Sequence, residues 1–255
     1  MTDQNTSLSS EIENPQIKRQ LWGPWSTLGF GLVVGIVSLI TQGLVVVPFV
    51  ISKTISDSTL NPLQLVEMLI SDGLFISLAI VTSSIVGIGL ILVIIKVRRR
   101  ATIAEYLGLR RITKKVILIL LAITTGIIIS EYILALIIGE TQNAAWMVNA
   151  YNTSIWPALF WIAVVICAPL FEEAFFRGFM FVGFQQSRIG VVGTIGLTAL
   201  IWALMHVQYD VYTIAGIFVL GILLGIIRFK TDSLWSPLLI HVLINLIATV
   251  ELSLN

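Results

Sequence analysis

Stretches of roughly twenty apolar residues recur along this chain, and a run of that length has few ways to fold. In a bilayer it must close its backbone hydrogen bonds within itself, which a helix does and an open strand does not. Such stretches cover about Leu28 to Ile51, Gly73 to Ile95, Val116 to Ile138, Trp156 to Phe184, Val191 to His206, Val211 to Ile227 and Leu234 to Val250. The expected fold is all-α: a polytopic transmembrane helical bundle of about seven spans, within the range of six to eight that 255 residues accommodate.

Composition closes the other routes. The chain is 57% hydrophobic and 11% charged, with a mean hydropathy of +0.98, whereas a soluble domain is about a quarter charged. This excludes a soluble globular enzyme and a disordered tail. A net charge of +1 supplies no basic surface for nucleic acid. The single cysteine, Cys167, excludes a disulfide framework and a multi-cysteine metal site.

Polar segments punctuate the spans. Residues 1–20 read as a cytosolic tail, and Trp22 and Trp25 as interfacial anchors. Ser52 to Pro62 and Glu140 to Ser154 read as polar loops. Leu63 to Asp72 has helical apolar spacing suited to the membrane interface, and Ala101 to Lys115 reads as a basic amphipathic surface helix. With the N-terminus in the cytosol, seven spans place 13 of the 15 Lys and Arg residues on the cytosolic side, the exceptions being Lys53 and Arg177. The chain is expected to be a multi-pass protein of a prokaryotic plasma membrane.

Ionisable groups are costly in hydrocarbon, so those within spans are candidate site residues. Six qualify: Glu131, Glu172, Glu173, Arg177, His206 and His241, five of them in the last four spans. Glu173 and Arg177 stand four apart with the acid first, the favourable order for a helical ion pair. Glu172 sits about 100° round the helix and needs a partner from another helix. A buried carboxylate without a charge partner suits a general base. His241 and Asn245, also four apart, bring donors to one face, as a developing oxyanion requires. Each element has a plainer reading. The ion pair and the His241–Asn245 pair can be packing glue, a lone histidine can be an interhelical hydrogen bond, Glu131 has no motif around it, and Trp202 reads as packing. Jointly, Glu172, His206 and His241 on three helices would be an expensive way to pack a bundle. Depth leaves one tension. Counted from Val191, His206 lies roughly 22 Å along its span, against roughly 16 Å for Glu172 from Trp161 and 10 Å for His241 from Leu234.

Three motifs in order, Glu172-Glu173-x-x-x-Arg177, Trp202-x-x-x-His206 and His241-x-x-x-Asn245, resemble those of the CPBP family of CAAX proteases and bacteriocin-processing enzymes (the Abi family), which includes the type II CAAX prenyl endopeptidases. Trp202 replaces the family's phenylalanine, which bears on substrate fit more than on chemistry. The resemblance runs from about Pro157 to Ala248. It implies a four-helix intramembrane protease core, here residues 156–252, following the N-terminal membrane helices of residues 21–155. It further implies Glu172 as general base acting on water with His206, His241 and Asn245 as oxyanion donors, and Glu173 and Arg177 as residues that shape the site.

The expected activity is therefore hydrolysis of a peptide bond in a membrane-associated protein or peptide, CAAX-type by resemblance, with the lipid bilayer as the other partner and no nucleic acid. A glutamate mechanism without cofactor is preferred. Zinc held by Glu172, His206 and His241 is the alternative, disfavoured by Asn245 and by the lack of an H-E-x-x-H pair. Two other functions compete: a non-catalytic immunity or scaffold protein of the same family, and a small proton-coupled transporter. The intact residue set weighs against the first, and the absence of detectable inverted repeats against the second.

Overall fold

A computed structural model describes residues 21–57, 59, 61–99, 101–138 and 145–254. The 1–20 tail and residues 140–144 of the expected second loop lie outside the described residues. Among the described residues ten helices are formed: α1 Pro24–Ser56, α2 Pro62–Ile70, α3 Gly73–Arg98, α4 Ile103–Leu107, α5 Lys114–Ile138, α6 Ala145–Asn152, α7 Pro157–Phe184, α8 Gly190–Leu204, α9 Val211–Thr231 and α10 Trp235–Leu254. Six of them, α1, α3, α5, α7, α9 and α10, are long and apolar enough to cross a membrane. The all-helical polytopic expectation holds, and the chain is an integral membrane protein.

Four boundaries differ from the sequence reading. The expected fifth span, Val191 to His206, is the 15-residue α8, about 22 Å long against a core of about 30 Å. It ends at Leu204, so His206 lies in the turn that follows rather than in a span. In place of a basic surface helix at 101–115 there is only the short α4, capped by Thr102 and stopped at Gly108, whose φ of 68° is the left-handed conformation that glycine adopts without cost. Beyond it the chain is pinned by Arg110 Nη1 to Asp232 Oδ2 at 2.8 Å, Ser233 Oγ to Arg110 O at 2.6 Å and Leu234 N to Gly108 O at 2.9 Å. Within the expected loop 140–154, residues 145–152 are helical. Finally, α1 extends to Ser56, into the segment read as a loop from Ser52.

The chain divides into two compact units, with α1, α3 and α7 each contributing to both. One unit comprises Met1–Val33, Gly89–Arg111 and Ala174–Leu234. Here α8 and α9 approach closely at Gly221 and Gly225, a small-xxx-small spacing that lets two helix backbones meet in lipid. A Cβ at Gly221 would fall 2.9 Å from Ala199 Cβ and 3.1 Å from the Trp202 ring. Gly221→Leu is therefore expected to wedge α8 from α9 and cost about 1–3 kcal/mol by overpacking, read as a lowered melting temperature in detergent. In the same unit the Tyr106 ring of α4 stacks on Phe179 at 6.0 Å, and Trp22 Nε1 donates to Ile94 O at 3.1 Å with Arg98 over its ring.

The other unit comprises Val34–Ile88, Ile112–Glu173 and Trp235–Asn255. Its core joins Ala150 of α6, Phe160 of α7 and Leu252 of α10, all at most 4% exposed. Thr153 ties the start of α3 to the end of α6, accepting from Gly73 N at 3.0 Å and donating to Ser71 O at 2.8 Å. Gly87 of α3 leaves the space that the Phe171 ring of α7 occupies. These contacts hold the first part of α7 and all of α10 side by side, which positions the candidate acids and His241.

Candidate active site

Helix α7 is not uniformly α-helical. Residues Ile162–Cys167 and Ala174–Met180 form π turns on either side of the α-helical Ala168–Glu173. Such insertions are rare and mark places where a helix trades regular hydrogen bonding for a particular side-chain presentation. Pro169 lies between them and has no amide hydrogen to continue a ladder. The two acids, Glu172 and Glu173, end the short α-helical stretch.

In the unit that contains both acids, His241 of α10 is held at one ring nitrogen by Glu173 and faces Glu172 with the other. Its Nδ1 lies 2.9 Å from Glu173 Oε1, and its Nε2 lies 3.9 Å from Glu172 Oε2. A carboxylate can only accept, so Nδ1 carries the proton given to Glu173, which fixes the tautomer and the ring plane. The separation from Nε2 to Glu172 exceeds a hydrogen bond. Glu173 is fully buried and His241 is 4% exposed, whereas the Glu172 side chain keeps 21% of its surface. Two adjacent carboxylates thus occupy different environments: one buried and engaged with an imidazole, the other more open. The α10 side chain that faces Glu172 across this gap is His241.

Asn245, one turn beyond His241, donates from Nδ2 to Val164 O in the first π turn at 2.9 Å. One of its amide donors is therefore used to tie α10 to α7, a contact that the sequence motif did not foretell. Glu131, the acid without a motif, lies exposed on α5.

The other unit holds Arg177, Trp202 and His206. Arg177 is fully buried on the second π turn. Its Nη2 donates to Gly221 O at 3.2 Å, and its guanidinium lies 4.5 Å from the Trp202 ring centroid, a cation–π contact. Trp202 serves His206 as well. Its carbonyl accepts from His206 Nδ1 at 2.7 Å, and the two rings meet edge to face at 5.4 Å. A carbonyl has no proton to give, so His206, like His241, holds its proton on Nδ1 and leaves Nε2 as the nitrogen for chemistry. The Trp202 ring thus touches both the arginine and the histidine of the motifs.

Sequence reasoning passed over Arg228. It lies near the end of α9, is 3% exposed, and donates from Nε to Arg177 O at 3.0 Å and from Nη1 to Asp232 at 3.0 Å. Placing the end of that span at Ile227 left it just outside; its spacing of four from Asp232 was the available signal.

Residues 154–247 match the family model described as type II CAAX prenyl endopeptidase Rce1-like. Over this segment the chain is similar to that family. The segment encloses Glu172, Glu173, Arg177, Trp202, His206, His241 and Asn245, and it runs close to the Pro157–Ala248 stretch whose motifs pointed to the family. Over 83 residues the chain is 34% identical to a protein of Escherichia coli described as an uncharacterized 24.3 kDa protein, covering 31% of this chain and 38% of that one. The chain thus spans well under half the length of this relative. No solved structure matches the chain.

Zinc would require several ligands converging on one point. Among the described residues no group of three or more His, Cys, Asp or Glu side chains is disposed to hold a metal ion. His241 Nδ1 is engaged by Glu173, which leaves Nε2 as the open nitrogen of the ring.

Proposed function

We propose that the protein is an intramembrane endopeptidase that hydrolyses a peptide bond of a membrane-associated protein or peptide by a glutamate mechanism. The observation that carries the reading is His241, held at Nδ1 by buried Glu173 and facing the more open Glu172 across 3.9 Å. This lies within a segment that matches a family of endopeptidases.

In this mechanism Glu172 takes a proton from water, and the resulting hydroxide attacks the scissile carbonyl carbon. The carbonyl oxygen becomes an oxyanion, which an amide N–H of Asn245 stabilises together with His241, whose ring takes a second proton from bulk water onto Nε2 before the substrate binds. A ring protonated on both nitrogens carries a positive charge, and the Glu173 carboxylate beside Nδ1 balances it. Collapse of the intermediate breaks the C–N bond, and Glu172 returns its proton to the leaving amine. His206 is assigned a part in activating the water on the motif pattern alone. Its Nδ1 contact with Trp202 O, which leaves Nε2 as an acceptor, supports that assignment. The family description makes a CAAX-type, prenylated peptide the first substrate to test.

Purified protein should cleave one or more of a panel of membrane-tethered peptides, with and without a prenylated C-terminal cysteine. Cleavage should persist after chelation, with substoichiometric metal by elemental analysis. Stoichiometric zinc with chelator inhibition reversed by added zinc would replace the glutamate mechanism. Failure of all peptides would favour the scaffold or transporter readings.

The N-terminus is proposed to face the cytosol of a prokaryotic plasma membrane. The basic residues following α3 and the similarity to an Escherichia coli protein support this. In a Cys167→Ser background, Asp57→Cys should react with an impermeant thiol reagent added outside the cell and Arg99→Cys should be protected. The reverse pattern would overturn the orientation.

A further inference from the structure

The bond that joins Asn245 to α7 has its origin in a proline. In the first π turn an amide reaches five residues back, and Ala168 N–H donates to Ala163 O. The next amide in that series is residue 169, which would serve Val164 O. Pro169 has no N–H to give, and Ala168, the α-helical donor to the same carbonyl, is already engaged with Ala163. Val164 O thus loses both of its ordinary donors in an apolar helix, where an unsatisfied carbonyl is costly. Asn245 Nδ2 fills the vacancy at 2.9 Å from the facing helix α10.

We propose that Pro169 is a positioning residue for Asn245. By denying Val164 O a donor within α7, it claims one of the two amide N–H groups of Asn245. An amide is planar, with two donors in fixed relation, so anchoring one sets the direction of the other. The anchored amide is then preorganised as a donor to the oxyanion, with no side-chain rotation to lose in the transition state. This rests on the proposed function for the part Asn245 plays in catalysis. The pairing of Pro169 with Asn245 stands on geometry alone. It also accounts for a helix breaker, buried in the middle of a helix that has every reason to be regular.

The test is a double-mutant cycle of Pro169→Ala and Asn245→Ala on the full chain, read by thermal melting in detergent and by steady-state cleavage. Alanine at 169 restores an N–H, so the carbonyls of α7 regain a donor within their own helix. Pro169→Ala is expected to melt at or above the wild-type temperature, yet to lose about tenfold in kcat with KM unchanged, a small part of what losing an oxyanion donor outright costs. Asn245→Ala should lower the melting temperature when residue 169 is proline and leave it unchanged when residue 169 is alanine. Its own loss in kcat should be about 10²- to 10³-fold, and adding Pro169→Ala should take it no further. Asn245→Asp, which cannot donate, should reproduce the melting loss.

Wild-type kcat in Pro169→Ala, additive melting shifts in the cycle, or a kcat loss matched by an equal loss of stability would each overturn the proposal. The melting cycle needs no substrate. If the wild type cleaves nothing, the functional reading fails by itself, while additive shifts would show separately that Pro169 does not hold Asn245.

Discussion

Glu172→Gln is expected to abolish measurable cleavage while leaving the fold nearly untouched. Glutamine keeps the shape and removes the base, and loss of a positioned general base costs about 10²- to 10⁴-fold in rate. Glu172 tolerates the change because its side chain retains 21% of its surface and glutamine keeps its shape. Melting in detergent should shift by no more than the fraction of a kcal/mol, about 0.5, seen for partly exposed substitutions. Retained activity would remove Glu172 from the mechanism. A large fall in melting temperature would make it a structural acid.

Glu173→Ala is expected to do the opposite in stability and to lose activity as well. Glu173 is fully buried, and its Oε1 is the 2.9 Å partner of His241 Nδ1. Truncation leaves an imidazole N–H without its acceptor in an apolar interior, and breaking a buried charged pair costs about 3–5 kcal/mol. Glu173→Gln separates the two effects. Its amide oxygen can still accept from Nδ1–H, so the tautomer survives and the melting temperature should largely recover. The charge that balances the imidazolium is gone, and kcat should fall although the fold survives. Melting curves and kcat for the three variants, Glu172→Gln, Glu173→Ala and Glu173→Gln, decide the division of labour. Equal stability losses in Glu172→Gln and Glu173→Ala would mean that the acids share one structural role.

The two acids also show where local periodicity stops informing. Spacing of four joined Glu173 to Arg177 along one helix, and in that frame Glu172 was the acid in need of a distant partner. The described contacts bring His241 to both: its ring spans the adjacent carboxylates, with Nδ1 on one and Nε2 toward the other. Nothing in a single helix's period encodes a ring arriving from α10. For the same reason Asn245, read as a donor on the face of His241, carries a second duty to Val164 O that no motif announces. Arg228 was passed over because its status depends on a span boundary, and boundaries are the least legible part of a helix pattern.

What the residues determined by themselves was the class of fold and the chemical inventory. Apolar runs long enough to cross hydrocarbon can satisfy their backbone only as helices, so an all-helical membrane protein follows from hydropathy without any tertiary information. Few ionisable groups survive in such runs, so the candidate residues stand out by scarcity, and their order and spacing sufficed for the family. Tertiary structure decided the pairings and the local irregularities. The length of α8, which sets His206 in a turn, depends on where packing and the following turn end the helix, since the apolar pattern runs on past Leu204. The first π turn of α7 leaves Val164 O to a donor on another helix. Hydrogen bonds between helices are worth making only once the helices are side by side, and that proximity is a property of the fold and not of any segment of the sequence.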